Sequence, residues 1–112
     1  MHYSREDACR VWLSVAEISS STFEQMLENL GSAEGVYDAV QRHGDKPLKN
    51  CGLSSRQCGI LLEEAERKRM HDRLVLLQKN EIGLLQQEDE RFPELLRQLN
   101  DPPWMLYWRG EL

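Results

Sequence analysis

The sequence is poor in the features that mark membrane, disulfide-bonded and zinc-binding proteins. No apolar run approaches the roughly twenty residues that a membrane-spanning helix needs, and the N-terminus lacks a signal-peptide pattern. The cysteines Cys9, Cys51 and Cys58 are odd in number and form no C-x-x-C pair. Such cysteines are typically reduced thiols in or near a core. We therefore expect no disulfide and no zinc site, and we expect the protein in the cytoplasm.

The residue groupings of common enzyme classes are also missing. The histidines His2, His43 and His71 are scattered singly, away from the cysteines, and so do not predict a metal site. There is no glycine-rich nucleotide-binding motif, no P-loop and no supported serine–histidine–aspartate grouping. We expect no catalytic residue, cofactor, metal or small-molecule substrate, and we expect that the protein is not an enzyme.

Size and charge limit the remaining functions. The 112 residues suffice for one domain, or for a small domain and part of the next. The net charge of −5 counts against strong nucleic-acid binding. Its distribution is uneven: residues 1–53 carry −3, residues 54–80 carry +2 and residues 81–112 carry −4. The middle stretch is the only positive one.

Helix caps and apolar spacing predict a helical bundle over residues 1–80. Serines stand where N-caps are expected, and two of them, Ser4 and Ser54, have Asp7 and Gln57 three residues later in the capping-box pattern. Ser21 with Glu24 and a lone Ser32 predict two further caps, and Gly31 and Gly44 two helix ends. The predicted helices cover about residues 5–15, 22–30, 33–43 and 55–65, with one tight turn at 48–52.

The apolar stripe changes phase after Ala65, which predicts a break near residues 69–72. Asp72 would then cap a fifth helix, although propensity alone would favour one long helix. A basic cluster lies in this region, formed by Arg67, Lys68, Arg69 and Arg73. Because Glu63, Glu64 and Glu66 are close by, pairing with these glutamates is favoured over contact with DNA.

Residues 48–56 resemble the hairpin of a helix-hairpin-helix unit. In such units the backbone N–H groups of a glycine turn and the next helix N-terminus contact a phosphate. The candidate DNA-binding residues are therefore Lys49, Gly52, Ser54 and Arg56. The alternative, which one glycine and one serine favour, is that Gly52 only ends a helix and Ser54 only caps the next. The earlier turn at residues 18–21 has no glycine, so no second phosphate-binding turn is expected.

The last stretch of the chain predicts a short helix that leads into a strand. Pro93 suits a first helical turn, leucines follow at helical spacing, and Asn100 before Pro102 and Pro103 ends the helix. Residues 104–109 and 82–86 read as strands. If the two strands are neighbours, the intervening residues make a parallel β-α-β crossover feasible. Asp89 and Asp101 are expected to organise turns before the prolines.

Aromatic residues of the second strand allow two interpretations. Trp104, Tyr107 and Trp108 could stack on nucleic-acid bases, but only Arg109 accompanies them and the segment is acidic. Packing in a core or between domains is therefore favoured.

The same stretch has the order D-x-x-F-P-x-x-L, a short spacer, D-P-P, an apolar run and L-Y-x-R-G-x-L, and in this order it resembles the DNA-processing protein A (DprA/Smf) family. The family's usual tyrosine before the first proline is Phe92 here. The matching residues are Asp89, Phe92, Pro93, Leu96, Asp101, Pro102, Pro103, Leu106, Tyr107, Arg109, Gly110 and Leu112.

The resemblance implies a mainly α fold: a sterile-alpha-motif (SAM)/helix-hairpin-helix-like bundle over residues 1–80, and at 81–112 the start of a Rossmann-like domain that is otherwise missing from this chain. It further implies a role in DNA uptake, natural transformation and recombination, with single-stranded DNA and the RecA recombinase as partners. The family's Gly-Ser-Arg turn and basic pocket are absent from this sequence, so weak DNA binding is expected. The alternative is a protein-interaction module, docking on a partner or forming a weak homodimer.

Overall fold

The computed structural model describes residues 3–110. Within them the chain is mainly helical and adds a small two-stranded sheet, as the sequence predicts. The elements are α1 (Arg5–Ser14), α2 (Ser20–Leu30), α3 (Ala33–His43), α4 (Lys46–Asn50), α5 (Ser55–Glu66), α6 (Arg69–Lys79), β1 (Ile82–Gln86), α7 (Glu94–Arg97) and β2 (Met105–Arg109). None of the helices in this part of the chain is long and apolar enough to cross a membrane.

Serine caps begin the helices of the bundle, and three of the four predicted ones are confirmed. Ser4 and Ser54 form capping boxes, and the Ser32 hydroxyl accepts the N–H of Gly35. The predicted cap at Ser21 is wrong, because the Ser19 oxygen accepts the N–H of Thr22 at 3.2 Å. A distant contact accompanies the cap at Ser19: the N–H of the next residue, Ser20, donates to the Asp101 carboxylate at 3.1 Å.

The connections around α4 and α6 differ in detail from the prediction. The tight turn expected at 48–52 begins earlier, at Lys46, because Pro47 fits the first turn of α4. The chain does break between α5 and α6, but at Lys68, which adopts a left-handed conformation with φ of 55°. Asp72 is therefore not a cap and lies in the first turn of α6.

The core is formed by side chains from α1 to α5, together with Trp104. Trp12, Leu13, Met26, Leu48 and Leu61 are fully buried, and the Trp12 indole N–H donates to the Leu61 carbonyl at 2.9 Å. Burying these side chains contributes roughly 1.5–3 kcal/mol each.

The three cysteines are free thiols inside the protein, as predicted. Cys9, Cys51 and Cys58 are all buried. Burial raises the pKa of the Cys9 thiol to about 11 and also raises the pKa of Cys58. Both thiols are therefore protonated at neutral pH and suited to packing, not to reaction.

A carboxylate attaches α1 to the N-terminus of α3. The Glu6 oxygens accept the N–H groups of Ala33 at 3.0 Å and Glu34 at 2.9 Å, and Arg10 donates to the same carboxylate at 3.0 Å. Burial raises the Glu6 pKa, but these hydrogen bonds outweigh it, so the pKa lies below its usual value. The anion thus complements the positive end of α3.

The two strands pair antiparallel, so the expected parallel crossover is wrong. Ile82 pairs with Arg109 and Gln86 with Met105. The chain returns at the same end of the sheet, where the N–H of Gln87 donates to the Trp104 carbonyl at 3.0 Å. A four-residue helix is too short to carry the chain back along the strand for a parallel pair.

The helix between the strands is shorter than predicted. It begins after Pro93, whose ψ of 123° makes it the N-cap and not a helical residue, and it ends at Arg97 instead of Asn100. Leu95 and Leu99 of the predicted apolar stripe are 79% and 52% exposed. Two of the three leucines of the stripe are therefore largely exposed, while Leu96 is partly buried.

Candidate nucleic-acid interface

The predicted hairpin joins α4 to α5, but its turn N–H groups are already bonded within the chain. The N–H of Gly52 donates to the Lys49 carbonyl at 3.0 Å, and that of Leu53 to the Leu48 carbonyl at 3.2 Å. The N–H of Ser54 donates to the Gln57 side chain at 2.9 Å. Gly52 adopts a φ of 93°, which a glycine accepts without strain. The turn thus has the geometry of a helix end followed by a cap.

The charges at the hairpin are only partly free. The Lys49 ammonium lies 3.2 Å from Asp45 one turn earlier. Arg56 is exposed and forms no ion pair with another described residue. Of the predicted set, Arg56 therefore remains as the side chain best able to meet a phosphate.

Three of the four residues of the basic cluster between α5 and α6 pair with glutamates, as predicted, whereas Lys68 forms no ion pair with a described residue. Arg67 lies 3.4 Å from Glu63 one turn earlier. Arg73 and Arg69 both reach Glu64, at 3.0 and 3.6 Å, although Arg73 lies nine positions away across the break. Only 8% of the Glu64 side chain is exposed. Three of the six cations in the positive stretch at residues 54–80 are thus paired with glutamates of the same stretch.

The prediction of core packing is confirmed for Trp104. Its ring stacks on Phe23 with centroids 3.9 Å apart and planes 7° from parallel. Its indole N–H donates to the Ile18 carbonyl at 2.9 Å, and the residue is 6% exposed. Such a buried ring cannot stack on a base.

The other two aromatic residues of β2 lie nearer the surface. Tyr107 is 46% exposed, and its hydroxyl lies 2.7 Å from the Ser14 hydroxyl. Trp108 covers its cross-strand partner Gly83, where a Cβ atom would lie 2.7 Å from the indole nitrogen. Both rings are therefore held by contacts with the fold on at least one side.

The first half of the DprA-like phrase forms a closed turn around Arg97. Asp89 accepts the N–H of Arg91 at 2.9 Å and pairs with its guanidinium at 3.0 Å, and these contacts lower the Asp89 pKa to about 2. Arg97 donates to the carbonyls of Gln87 and Asp89 and lies over the Phe92 ring. The expected turn at Asp89 is confirmed, and Phe92 is buried at 2% exposure.

The second half of the phrase attaches to the bundle. Asp101 accepts the N–H of Ser20 at 3.1 Å, so it joins the segment to α2 as well as preceding the two prolines. Pro102 and Pro103 are partly buried, and Gly110 follows β2 with a φ of 96°. Leu112 lies outside the described residues.

A basic groove that the sequence did not predict lies between α2, α3 and α4. We define the basic groove by its rim of Arg42, His43 and Lys46, around an open volume of about 720 Å³. The net charge of the sequence did not indicate this groove, because residues 1–53, which contain it, carry a net charge of −3. A helix-end cluster of cations at 42–46 was its only sequence signal.

Comparisons with known proteins leave the assignment open. No family model, curated protein or solved structure matches the chain. Among residues 3–110, no three histidine, cysteine, aspartate or glutamate side chains are grouped so that they could hold a metal ion. The resemblance to the DprA family therefore rests on the residues quoted above.

Proposed function

We propose that this chain is the N-terminal accessory domain of a DprA-like mediator of recombination. In this proposal the domain acts in the cytoplasm during DNA uptake and natural transformation, and binds single-stranded DNA only weakly by itself. The principal DNA contacts and the loading of RecA would belong to a Rossmann-like domain, as in the family it resembles. The helical unit would hold the entry to that domain in a fixed position.

The attachment of the DprA-like phrase to the helices carries this proposal. Trp104 enters the core of the bundle against Phe23, and Asp101 binds the backbone of α2. On the other side of the turn, Arg10 of α1 reaches Gln86 at 2.7 Å and Glu88 at 2.9 Å. Because α1 holds the residues just before this phrase and the bundle holds its middle, β1 and β2 can be presented in one orientation to a larger sheet. Two paired strands with open outer edges are suited to such extension.

Charge supports the claim of weak DNA binding. Eight of the fourteen lysines and arginines form ion pairs within the described chain. Each paired cation has less to gain from a phosphate, because it would have to leave its carboxylate first. The hairpin turn likewise has few free N–H groups.

Fluorescence anisotropy with a labelled single-stranded oligonucleotide tests this proposal. We expect a Kd above about 10 µM at roughly physiological salt, in the range of non-specific binding. A sub-micromolar Kd under these conditions would contradict the accessory role. If the hairpin contributes, Lys49→Glu with Arg56→Glu should weaken binding more than Arg73→Glu, whose side chain is already paired.

A protein-interaction module is the second candidate, and the exposed surface of α6 favours it. None of its eleven residues is fully buried, and Val75 and Leu76 are 45% and 58% exposed. Together with Tyr107, Leu76 lines a shallow groove beside α1. Sedimentation over a range of concentrations distinguishes the two: a dimer without affinity for DNA supports the module.

A further inference from the structure

The basic groove is open, is large enough for a small-molecule ligand and is lined by both apolar and cationic side chains. Its volume of about 720 Å³ falls within the roughly 300–1,000 Å³ of small-molecule sites. The floor is apolar, from Leu30, Ala39 and Pro47. The rim carries the exposed cations Arg42 and Lys46 with His43 between them. This combination suits a ligand with an anionic group and a less polar body.

The rim cations are free to bind, unlike most in this protein. Six lysines and arginines form no ion pair with the described residues: Arg42, Lys46, Arg56, Lys68, Lys79 and Arg109. Of these six, Arg42 and Lys46 line the same groove. A phosphate placed there would not have to displace a carboxylate from either side chain.

The one carboxylate among the described residues that line the groove already forms an ion pair. Asp38 pairs with Arg5 at 2.7 Å, and this contact, with smaller help from Arg42, holds the pKa of Asp38 below its usual value. Arg5 also pairs with Glu34 at 2.9 Å. Asp38 therefore stays charged but is shared with a cation outside the rim, which leaves the rim positive.

Two residues that line the groove lie next to the hairpin turn in the sequence. Asn50 and Cys51 line it and directly precede Gly52, beyond which the unpaired Arg56 lies in the first turn of α5. The Asn50 side chain is exposed and can donate or accept a hydrogen bond. An extended chain of phosphates could thus contact the rim first and the hairpin next.

We propose that the basic groove binds the phosphate backbone of a single DNA strand, with Arg42 and Lys46 as the principal contacts and Arg56 as a secondary one. The choice of single-stranded DNA rests on the proposed function. The residues of the groove by themselves indicate only a ligand that carries phosphate. A flexible strand can enter it and bend away from the acidic remainder of the surface, which a stiff duplex cannot do as readily. No Phe, Tyr or Trp is among the described residues that line the groove, so we expect contacts to phosphate in place of stacking on bases, and little dependence on base sequence.

Three double charge reversals with equal changes in net charge test the site. Arg42→Glu with Lys46→Glu alters the groove, and Arg56→Glu with Lys49→Glu alters the hairpin. Arg109→Glu with Lys79→Glu alters exposed cations elsewhere that form no ion pair with the described residues. We expect the groove variant to lose about tenfold or more in affinity for a labelled thymidine 20-mer at low salt, the hairpin variant less, and the remote variant least. The salt dependence of log K should also flatten by about 1.4 in the groove variant, for two lost contacts. Circular dichroism confirms that each variant is folded.

Equal losses in all three variants would overturn the proposal, since they would mean that only net charge matters. A larger loss in the hairpin variant would place the contact there instead. Tighter binding of a duplex of the same length would overturn the choice of a single strand.

A second arm separates the groove from the proposed function. Inorganic phosphate is titrated into the 15N-labelled protein at constant ionic strength, and amide shifts are mapped. Shifts at residues 42–50 that vanish in the groove variant support the phosphate site, even if the oligonucleotide does not bind and the proposed function fails. Oligonucleotide binding with no phosphate-induced shift at 42–50 would overturn the groove while leaving the proposed function standing. Saturation by phosphate, with unchanged oligonucleotide binding in the groove variant, would assign the groove to free phosphate and overturn its role in DNA binding.

Discussion

Helix α6 and the segment between the two strands attach to the same bundle in opposite ways. The helix is a regular element of eleven residues, yet none of them is fully buried. The segment has only four helical residues, yet Phe92 and Trp104 are 2% and 6% exposed. Burial of apolar surface scales with the area removed from water, not with the regularity of the backbone. The irregular segment therefore buries single side chains more completely than the regular helix does, and we expect it to be the more firmly attached of the two.

From this contrast between α6 and the segment, we expect the largest loss of stability when Trp104 is replaced. Trp104→Ala should lower the free energy of unfolding by about 3–5 kcal/mol, because it removes the ring stacked on Phe23 and leaves the Ile18 carbonyl without its donor. Urea denaturation measures the change. Trp108→Ala, at a partly exposed site, serves as the control and should cost less than half as much. Equal losses would mean that the segment is not anchored through Trp104. If Trp104→Ala does not fold, Trp104→Phe should still lose about 1 kcal/mol with the hydrogen bond.

Local signals predicted most of the bundle. The caps at Ser4, Ser32 and Ser54 follow from a side chain and an N–H three positions later, which the sequence contains in full. The cap of α2 could not be predicted in the same way. Ser19, Ser20 and Ser21 are consecutive, and each could accept the N–H of a residue two or three positions later. The Ser20 contact with Asp101, 81 positions away, accompanies the cap that forms.

Neither the direction of the strands nor the basic groove could be predicted from neighbouring residues, because both depend on contacts between residues far apart in the sequence. Two short apolar runs predict strands, but their pairing direction depends on where the connecting segment packs, here with Trp104 in the core. Likewise, the freedom of Arg42 depends partly on Arg5, which occupies Asp38 from 33 positions away. By contrast, the pairing of Arg67, Arg69 and Arg73 with Glu63 and Glu64 stays within residues 63–73, and the neighbouring charges in the sequence were enough to predict it.

An intermediate effect is expected at Glu64, where α6 joins α5. Glu64→Gln removes the charge shared by Arg69 and Arg73, and we expect a loss of about 1–2 kcal/mol. The loss stays below that of a fully buried pair because both arginines are more than 40% exposed and regain water. Amide hydrogen exchange should accelerate in α6 before it does in α1. The control is Glu63→Gln, whose exposed pair with Arg67 should contribute no more than about 0.5 kcal/mol. Equal effects of the two variants would mean that Glu64 does not hold α6 in place.

The smallest effect on stability is expected at Leu76, and it separates the two candidate functions. Leu76 is 58% exposed, so Leu76→Asp should change the free energy of unfolding by no more than about 0.5 kcal/mol. If α6 is an interaction surface, the same change should abolish any dimer seen by sedimentation, because a charge would enter an apolar contact. Leu95→Asp is the matched control, since Leu95 is also exposed but lies on α7.

A dimer that survives Leu76→Asp but not Leu95→Asp would place the interface at α7. A protein that stays monomeric at all concentrations would remove the main support for the interaction module. A loss of several kcal/mol at Leu76 would instead show that α6 is packed more tightly than its exposure indicates, and the contrast between helix and segment would fail.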